Sequence, residues 1–348
     1  MLDSRPIVRS GRSGPTVSII TSTFEARAFV EHYVAALEAQ TIDDWECWLV
    51  DDGSEDGTLD AFAERIGDDP RFHLVARPHS GRPAPNRAYA LERARGRYVA
   101  FCDQDDFWFP HKLERQLRAF ELHPDAVLCH TSRRFVDAEN LPYTPPADAP
   151  GDERIVTDTT ERALLERCAV TCSSVMARRD SLRAVDGFAE DLAGVDDYHL
   201  WLKLARYGDL VWIRAPLVVC TLHGRNMSAS PKTLASGLLR LADRLEHEQA
   251  PRRMRRALRA HALKASAVAG WIERPLRAVA LLARSWRLWP RRRTLAVLTA
   301  ALLTSPLTRR RRRDLWRRLQ DRRSRGLTGR ATSLPPRAPR PTASRSSV

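Results

Sequence analysis

No run of about 20 apolar residues, the length a helix needs to span a bilayer, occurs in this 348-residue chain. Its opening, MLDSRPIVRSGRSGPT, also lacks the apolar centre of a secretory leader, so a cytosolic protein is expected. Cysteine is sparse and unpatterned. Cys47, Cys102, Cys129, Cys168, Cys172 and Cys220 include no CxxC pair, which speaks against a thiolate zinc site or a disulfide framework and suits buried thiols in a reducing compartment. Acid is what the last third lacks. Residues 1–230 carry 27 Lys and Arg against 37 Asp and Glu, whereas residues 231–348 carry 30 against 6. That split implies an acidic, enzyme-like body with a basic attachment segment.

What the chain does have is a regular alternation of two patterns. VSIIT (17–21) is a short β-rich run with no polar interruption, as expected of a strand buried on both faces of a parallel sheet. EARAFVEHYVAALEAQT then repeats apolar residues at helical spacing. WECWLV (45–50) reads as a second strand, DDGSEDGT as a turn, and 59–66 as a helix. FHLVARP gives a third strand, APNRAYALERARG a helix stopped by Gly96, and RYVAFCD a fourth strand. Such alternation predicts an α/β fold of βαβ units feeding a mixed, mostly parallel sheet flanked by helices. Ligands of such sheets bind beyond the carboxyl ends of the strands. Three polar clusters fall there, Ser22–Glu25, Asp51–Asp56 and Asp103–Asp106, and they should converge on one crevice.

The third cluster, DQDD, lies between an apolar strand and two large aromatics. Asp103 and Asp105, two apart, would point to the same side of an extended segment, and a turn could add Asp106. Hard oxygens with open positions suit Mg²⁺ or Mn²⁺, which complete their shell with water and substrate phosphates. The same acids would also suit a solvated loop before a helix that has Pro110 near its start. Asp51 and Asp52 fit a turn equally, although a carboxylate there could accept from a base N–H or a ribose hydroxyl. A further pair, Asp196–Asp197, precedes Leu200, Trp201 and Leu204 at helical spacing. It complements a helix N-terminus, or supplies a general base reaching across the crevice.

Taken together, VSIITSTFEARAFVEHYVAALEAQTIDDWECWLVDDGSEDGT, GRYVAFCDQDDFWFPHKLERQL, GFAEDLAGVDDYHLWLKLARYGDL and HGRNMS, in this order between Val17 and about Ser230, resemble the family 2 glycosyltransferases of GT-A (Rossmann-like) fold. The resemblance implies inverting transfer from a nucleotide-activated sugar to an acceptor hydroxyl. By that resemblance Asp52 recognises the donor base, with Ser22 and Phe24 lining its pocket. Asp103, Gln104 and Asp105 form the DxD motif, with Asp103 on the donor ribose or the metal, Asp105 on the metal, and His223 beside the diphosphate and the metal. The Asp196–Asp197 pair supplies the base, Asp197 favoured over Asp196. Two segments depart from the family pattern. STFE replaces Pro-Thr-Tyr-Asn, which puts Glu25 at the edge of the base pocket, and GRPAPNR disrupts Ala-Arg-Asn, so that either Arg82 or Arg87 could serve the diphosphate.

The expected organisation is a disordered N-terminus (1–14), a GT-A catalytic domain (15–230), a basic helical C-terminal extension (231–328) and a disordered tail (329–348). TLAVLTAALLTSPL (294–307), between RRR (291–293) and RRRRR (309–313), is too short to span a bilayer but could lie in the headgroup zone on anionic lipid. Alternatively these helices pack on the catalytic domain or on each other, and their arginines are merely solvated. The expected partners are a nucleotide-sugar donor, a UDP-sugar first, a saccharide or lipid-linked acceptor, and an anionic membrane surface. The expected location is the cytoplasm, including the inner face of the cell membrane. A nucleic-acid-binding protein is a second reading of the arginine-rich helices, disfavoured because the acidic body would repel a phosphate backbone. A catalytically idle GT-A protein is a third.

Overall fold

The computed structural model describes residues 14–137, 154–156, 160–166, 170–223, 231–304, 310–311, 313–315 and 318. The expected disordered tail at 329–348, residues 1–13 of the expected disordered N-terminus, Cys168, Trp316 and the residues after His223 in HGRNMS lie outside them.

Three βαβ steps open the chain: β1 (Val17–Thr23), α1 (Val30–Glu38), β2 (Trp45–Asp51), α2 (Thr58–Ile66), β3 (Phe72–Ala76), α3 (Pro83–Arg93) and β4 (Tyr98–Phe101). They agree with the sequence expectation in type and order and differ at the ends. The helix of the third step stops at Arg93, before Gly96. Gly96 serves the sheet instead. A Cβ there would lie 2.4 Å from the Ser18 nitrogen, so only glycine lets the chain enter β4 against the β1 backbone. The chain continues through β5 (Phe107–Trp108), α4 (Lys112–Leu122), β6 (Ala126–Asp137), β7 (Ile155–Val156), α5 (Glu161–Glu166), β8 (Val175–Arg178), α6 (Arg179–Ala184), α7 (Asp196–Tyr207) and β9 (Asp209–Leu222).

Among the described residues the strands form one sheet in the order β3-β2-β1-β4-β8-β6-β9-β5, with β7 added on β9. β3, β2, β1 and β4 are mutually parallel. β8 runs against both β4 and β6, while β6 and β9 are parallel. The sheet is therefore mixed and mostly parallel. β1 has β2 on one side and β4 on the other, and the order reverses there, which opens a crevice beyond the carboxyl ends of these strands.

Both faces of the sheet are covered, as the uninterrupted apolar runs require. Tyr98 and Ala100 of β4 pack with Tyr33, Leu37, Phe62 and Phe120 from α1, α2 and α4. Val99 and Phe101, alternate residues of the same strand, pack with Leu91, Trp201 and Leu204 from α3 and α7.

Four more helices follow, α8 (Pro231–His247), α9 (Arg252–Gly270), α10 (Pro275–Leu288) and α11 (Arg292–Thr304). Leu238, Leu241 and Leu245 of α8 and Met254 and Leu258 of α9 belong to the same apolar cluster as Trp201 and Phe101. These two helices thus take the second of the arrangements open to the basic segment and pack on the sheet domain. α9, α10 and α11 share a smaller cluster of Ala267, Ala278, Leu282 and Ala301. The five cysteines among the described residues are free and buried.

Because Leu241 is fully buried in the core shared by α7, α8 and α9, Leu241→Ala should destabilise the whole domain by about 2–5 kcal/mol. In urea, tryptophan fluorescence and circular dichroism should report one coincident transition at lower denaturant. Two separate transitions, with only the helical one shifted, would show that the C-terminal helices fold apart from the sheet.

Candidate active site

The three polar clusters do converge. Thr23 and Asp51 are paired in register across β1 and β2, and the Thr23 hydroxyl donates to Asp51 Oδ1 at 2.9 Å. Asp51 also accepts from the Ser54 hydroxyl and N–H at 2.6 and 2.8 Å, so this carboxylate builds the DDGS turn. Glu25, at φ +50°, donates its own N–H to Ser54 Oγ and accepts from the Glu55 N–H at 2.9 Å. Its side chain staples the first cluster to the second.

Gln104 joins the first cluster to the third. Its amide accepts from the Phe24 N–H at 2.6 Å and donates to the Phe24 carbonyl at 2.9 Å, as a neighbouring strand would. Phe24 projects outward, 41% exposed, and stacks on His79 with ring centroids 4.4 Å apart. Beneath this stack lies Asp52, 3% exposed. It accepts from the Ser80 hydroxyl at 2.8 Å, the Gly81 N–H at 2.9 Å and Asn86 Nδ2 at 2.9 Å. Burial alone would raise its pKa, yet these donors outweigh it and hold the carboxyl below its ordinary value. Asn86 Nδ2 also donates to the Ser22 hydroxyl, which brings Ser22, Asp52 and the start of α3 together.

Asp103, Asp105 and Asp106 take three different directions. Asp106 turns inward, away from the outward position that a turn could have given it. It accepts from Ser173 Oγ at 2.5 Å and the Thr221 N–H at 3.2 Å, and burial beside Asp105 and Asp103 holds its pKa well above the carboxylate range. Ser173 in turn accepts from the Asp103 N–H at 3.0 Å, so Asp106 anchors the loop rather than facing a ligand. Asp105 meets His223, at the end of β9, with Oδ2 2.7 Å from Nε2. Asp103 Oδ1 accepts from Arg87 Nη2 at 2.6 Å.

Arg87, 7% exposed, also donates through Nη1 to Asp196 Oδ2 at 2.9 Å. One guanidinium thus spans from the end of β4 to the first turn of α7. Burial raises the Asp103 pKa, with Arg87 pulling against it and Asp105 and Asp196 adding to the rise. Asp197, next to Asp196, has a different environment. Among the described residues no cation lies within ion-pair distance of it, and its Oδ1 accepts from the Tyr198 N–H at 2.6 Å. Burial, and the charge of Asp196, push its pKa up to about 7. Arg82, more exposed, donates to the Glu190 carbonyl at 3.0 Å and joins the start of α3 to the loop before α7.

The structure therefore brings Ser22, Phe24 and Asp52 to one side of the crevice, and Arg87, Asp103, Asp105, Asp196, Asp197 and His223 to the other. Glu25 and Gln104 bind backbone between them. Sequence reading misses His79, Ser80, Asn86 and Ser173. No local pattern marks them, although the Gly81-flanked HSGRP segment could have been suspected as a loop over the strand ends. Among the described residues no group of three or more His, Cys, Asp or Glu side chains is gathered closely enough to hold an ion by itself. Asp105 and His223, in contact with each other, and Asp103, bonded to Arg87, are of the donor types that Mn²⁺ or Mg²⁺ accept, ions that take much of their shell from phosphate and water.

A family model described as Glycosyl transferase family 2 matches residues 18–185. The putative teichuronic acid biosynthesis glycosyltransferase TuaG of Bacillus subtilis is 32% identical over 194 residues, 56% of this chain and 73% of that protein. Some curated relatives are much longer, such as the chondroitin synthase of Pasteurella multocida, 26% identical, of which the chain covers 21%. Among solved structures, S. aureus TarS 1-349 in complex with UDP-GlcNAc superposes with a TM-score of 0.60 at 18% identity, covering 83% of this chain and 87% of that one. The mannosyltransferase PcManGT of Pyrobaculum calidifontis, in complex with GDP-Man and Mn²⁺, gives 0.54 at 21% identity over 86% and 83%. These likenesses establish the GT-A fold.

Removing the Arg87 charge would leave Asp103 and Asp196 facing each other without a cation. Arg87→Met should cost about 3–5 kcal/mol of stability, read as a lower urea midpoint at pH 7. Part of that loss should return at pH 5, where Asp103, whose pKa burial raises, can take up a proton. A midpoint unchanged at pH 7 would mean that the two contacts carry no weight.

Proposed function

The chain belongs to glycosyltransferase family 2, and we propose that it transfers a sugar, with inversion, from a nucleoside-diphosphate sugar to an acceptor hydroxyl of a cell-surface polysaccharide or glycolipid. The observation that carries this reading is the Arg87 contact to both Asp103 and Asp196, which joins the donor side of the crevice to the acceptor side. A UDP-sugar is the first choice of donor, supported by the UDP-GlcNAc of TarS and by the role in teichuronic acid biosynthesis that TuaG's name states. The GDP-Man of PcManGT makes GDP the base to test against it.

In this mechanism the Phe24–His79 stack and Ser22 border the base. Asp52, held ionised by Ser80, Gly81 and Asn86, fixes the floor of that pocket and presents it to the base and ribose. Arg82 is the arginine left for the diphosphate, because both terminal nitrogens of Arg87 are engaged by acids. Asp105, Asp103 and His223 would hold Mn²⁺ or Mg²⁺, and such an ion, when bound, neutralises charge on a leaving diphosphate as a Lewis acid.

Asp197 is the general base and Asp196 positions it. Arg87 is bonded directly to Asp196, whereas among the described residues no cation lies within ion-pair distance of Asp197, on which Arg87 acts only from farther off. As the acceptor oxygen forms its bond to the anomeric carbon, the bond from that carbon to the phosphate oxygen breaks. The acceptor proton passes to Asp197, and the electron pair leaves with the nucleoside diphosphate. A base with a pKa near 7 is matched to this transfer at neutral pH.

Two measurements test the assignment. UDP with Mn²⁺ should raise the melting temperature of the wild type and not of Asp105→Ala; a shift with GDP alone would reassign the base, and no shift with either would remove the donor site. Transfer should rise with pH through about 7 as Asp197 loses its proton, and Asp197→Asn should lower it by about 10²–10⁴. The sign for stability is the opposite. A carboxyl whose pKa is raised on folding favours the fold fully below about pH 4, and this contribution is lost as pH rises through about 7. Asp197→Asn should therefore melt higher than wild type above pH 7 while failing to transfer sugar. Retention of wild-type transfer by Asp197→Asn would remove it from the mechanism.

A further inference from the structure

The last described helix has an outer face unlike the rest of the surface. Leu295, Ala296, Thr299, Ala300 and Leu303 recur at one-turn intervals along α11, and all are exposed or half-buried, Leu303 by 76% exposed. The opposite side of the helix, with Val297, Leu298 and Ala301, packs into the cluster shared with α9 and α10. The one polar residue of the outer face has its hydroxyl bonded within the helix, since Thr299 donates to the Leu295 carbonyl at 3.0 Å. α10 adds Leu276, 77% exposed, and Trp286 to the same helical layer. Soluble surfaces seldom gather leucines in this way without a partner for them.

Around the leucines are cations. Arg277, Arg284, Arg287 and Arg292 lie on α10 and α11, and Arg310, Arg311 and Arg313 follow beyond. Among the described residues no acid lies within ion-pair distance of the first four, whereas their neighbour Arg291 is paired with Glu166 at 3.2 Å. The partner must then be apolar in its interior and anionic at its surface. A second copy of this chain fails the second requirement, because residues 231–348 carry 30 basic against 6 acidic side chains and two such faces would repel. A nucleic acid fails the first, since leucines find no apolar complement on a phosphate backbone.

We propose that the outer face of α10 and α11 docks on an anionic lipid bilayer. The 13 residues of α11 span about 20 Å, and no helix among the described residues is long and apolar enough to cross a membrane. α11 therefore lies along the interface, with Leu295 and Leu303 below the headgroups and the arginines on lipid phosphates. This surface is separate from the crevice and stands or falls independently of the sugar-transfer reading.

Flotation of the full chain with lipid vesicles tests it. Wild type should float with vesicles of three parts phosphatidylcholine to one part phosphatidylglycerol, and stay down with phosphatidylcholine alone. Leu295→Glu/Leu303→Glu, at exposed positions that leave the buried side of α11 intact, should bind the anionic vesicles about tenfold more weakly. Arg284→Glu/Arg287→Glu, which keeps the leucines, should lose the preference for anionic lipid. Three results would each overturn the proposal. These are equal flotation on neutral and anionic vesicles, flotation of the leucine variant like wild type, and a wild-type dimer in gel filtration that the leucine variant converts to monomer.

Discussion

A guanidinium sealed from water by its own protein must be held by acids that are themselves brought there by the fold, and Arg87 is such a group. Its two contacts reach Asp103 at the end of β4 and Asp196 at the start of α7, residues 16 and 109 positions away. Neither acid is where it is because of local sequence. β4 delivers one through the parallel half of the sheet, and α7 delivers the other through its packing of Leu200, Trp201 and Leu204 against the sheet. The ion cluster is therefore a consequence of the whole domain being closed. It also sorts the acids by partner, since Arg87 binds Asp103 and Asp196, and Asp105 and Asp197 are left with other neighbours.

Around this centre the crevice is fastened by bonds that cross from one strand end to the next. Gln104 imitates a strand edge against Phe24, Glu25 binds the DDGS turn, and Asn86 binds Asp52 and Ser22 together. Gln104 and Glu25 each join two of the loops that follow β1, β2 and β4, and Asn86 ties the first turn of α3 to the ends of β1 and β2. Binding groups at the ends of parallel strands are mobile unless something ties them, and here the ties are hydrogen bonds made by residues that themselves look like ligands.

Those ties explain what was legible in the sequence. The runs 17–21 and 45–50 are apolar enough to name buried strands, and acids directly after such runs name the crevice. Asp52, Asp103 and Asp105 stand out for that reason, and the Asp196–Asp197 pair stands out because it opens a helix. Ser80 and Ser173 do not, because a serine has no pattern and each finds its carboxylate at a distance, Ser80 28 residues from Asp52 and Ser173 67 from Asp106. Glu25 and Gln104 were legible as residues of the clusters but not in their bonding, since their partners are backbone groups of other loops. The arginine content of the last third hides a further fact: Leu238, Leu241, Leu245, Met254 and Leu258 are core residues, and the charges between them lie on the outer side.

The sharing of one core by α7, α8 and α9 has a consequence for how the chain is made. A ribosome completes all nine strands of the described sheet by Leu222, but the apolar side of α7 stays bare until residues through Leu258 have followed. Since domains fold as units during synthesis, the nascent sheet must wait in a sticky, half-covered state for its own basic helices. Those helices thus act late in time as the lid of the core, and Arg87 can be locked between its acids only once they have arrived.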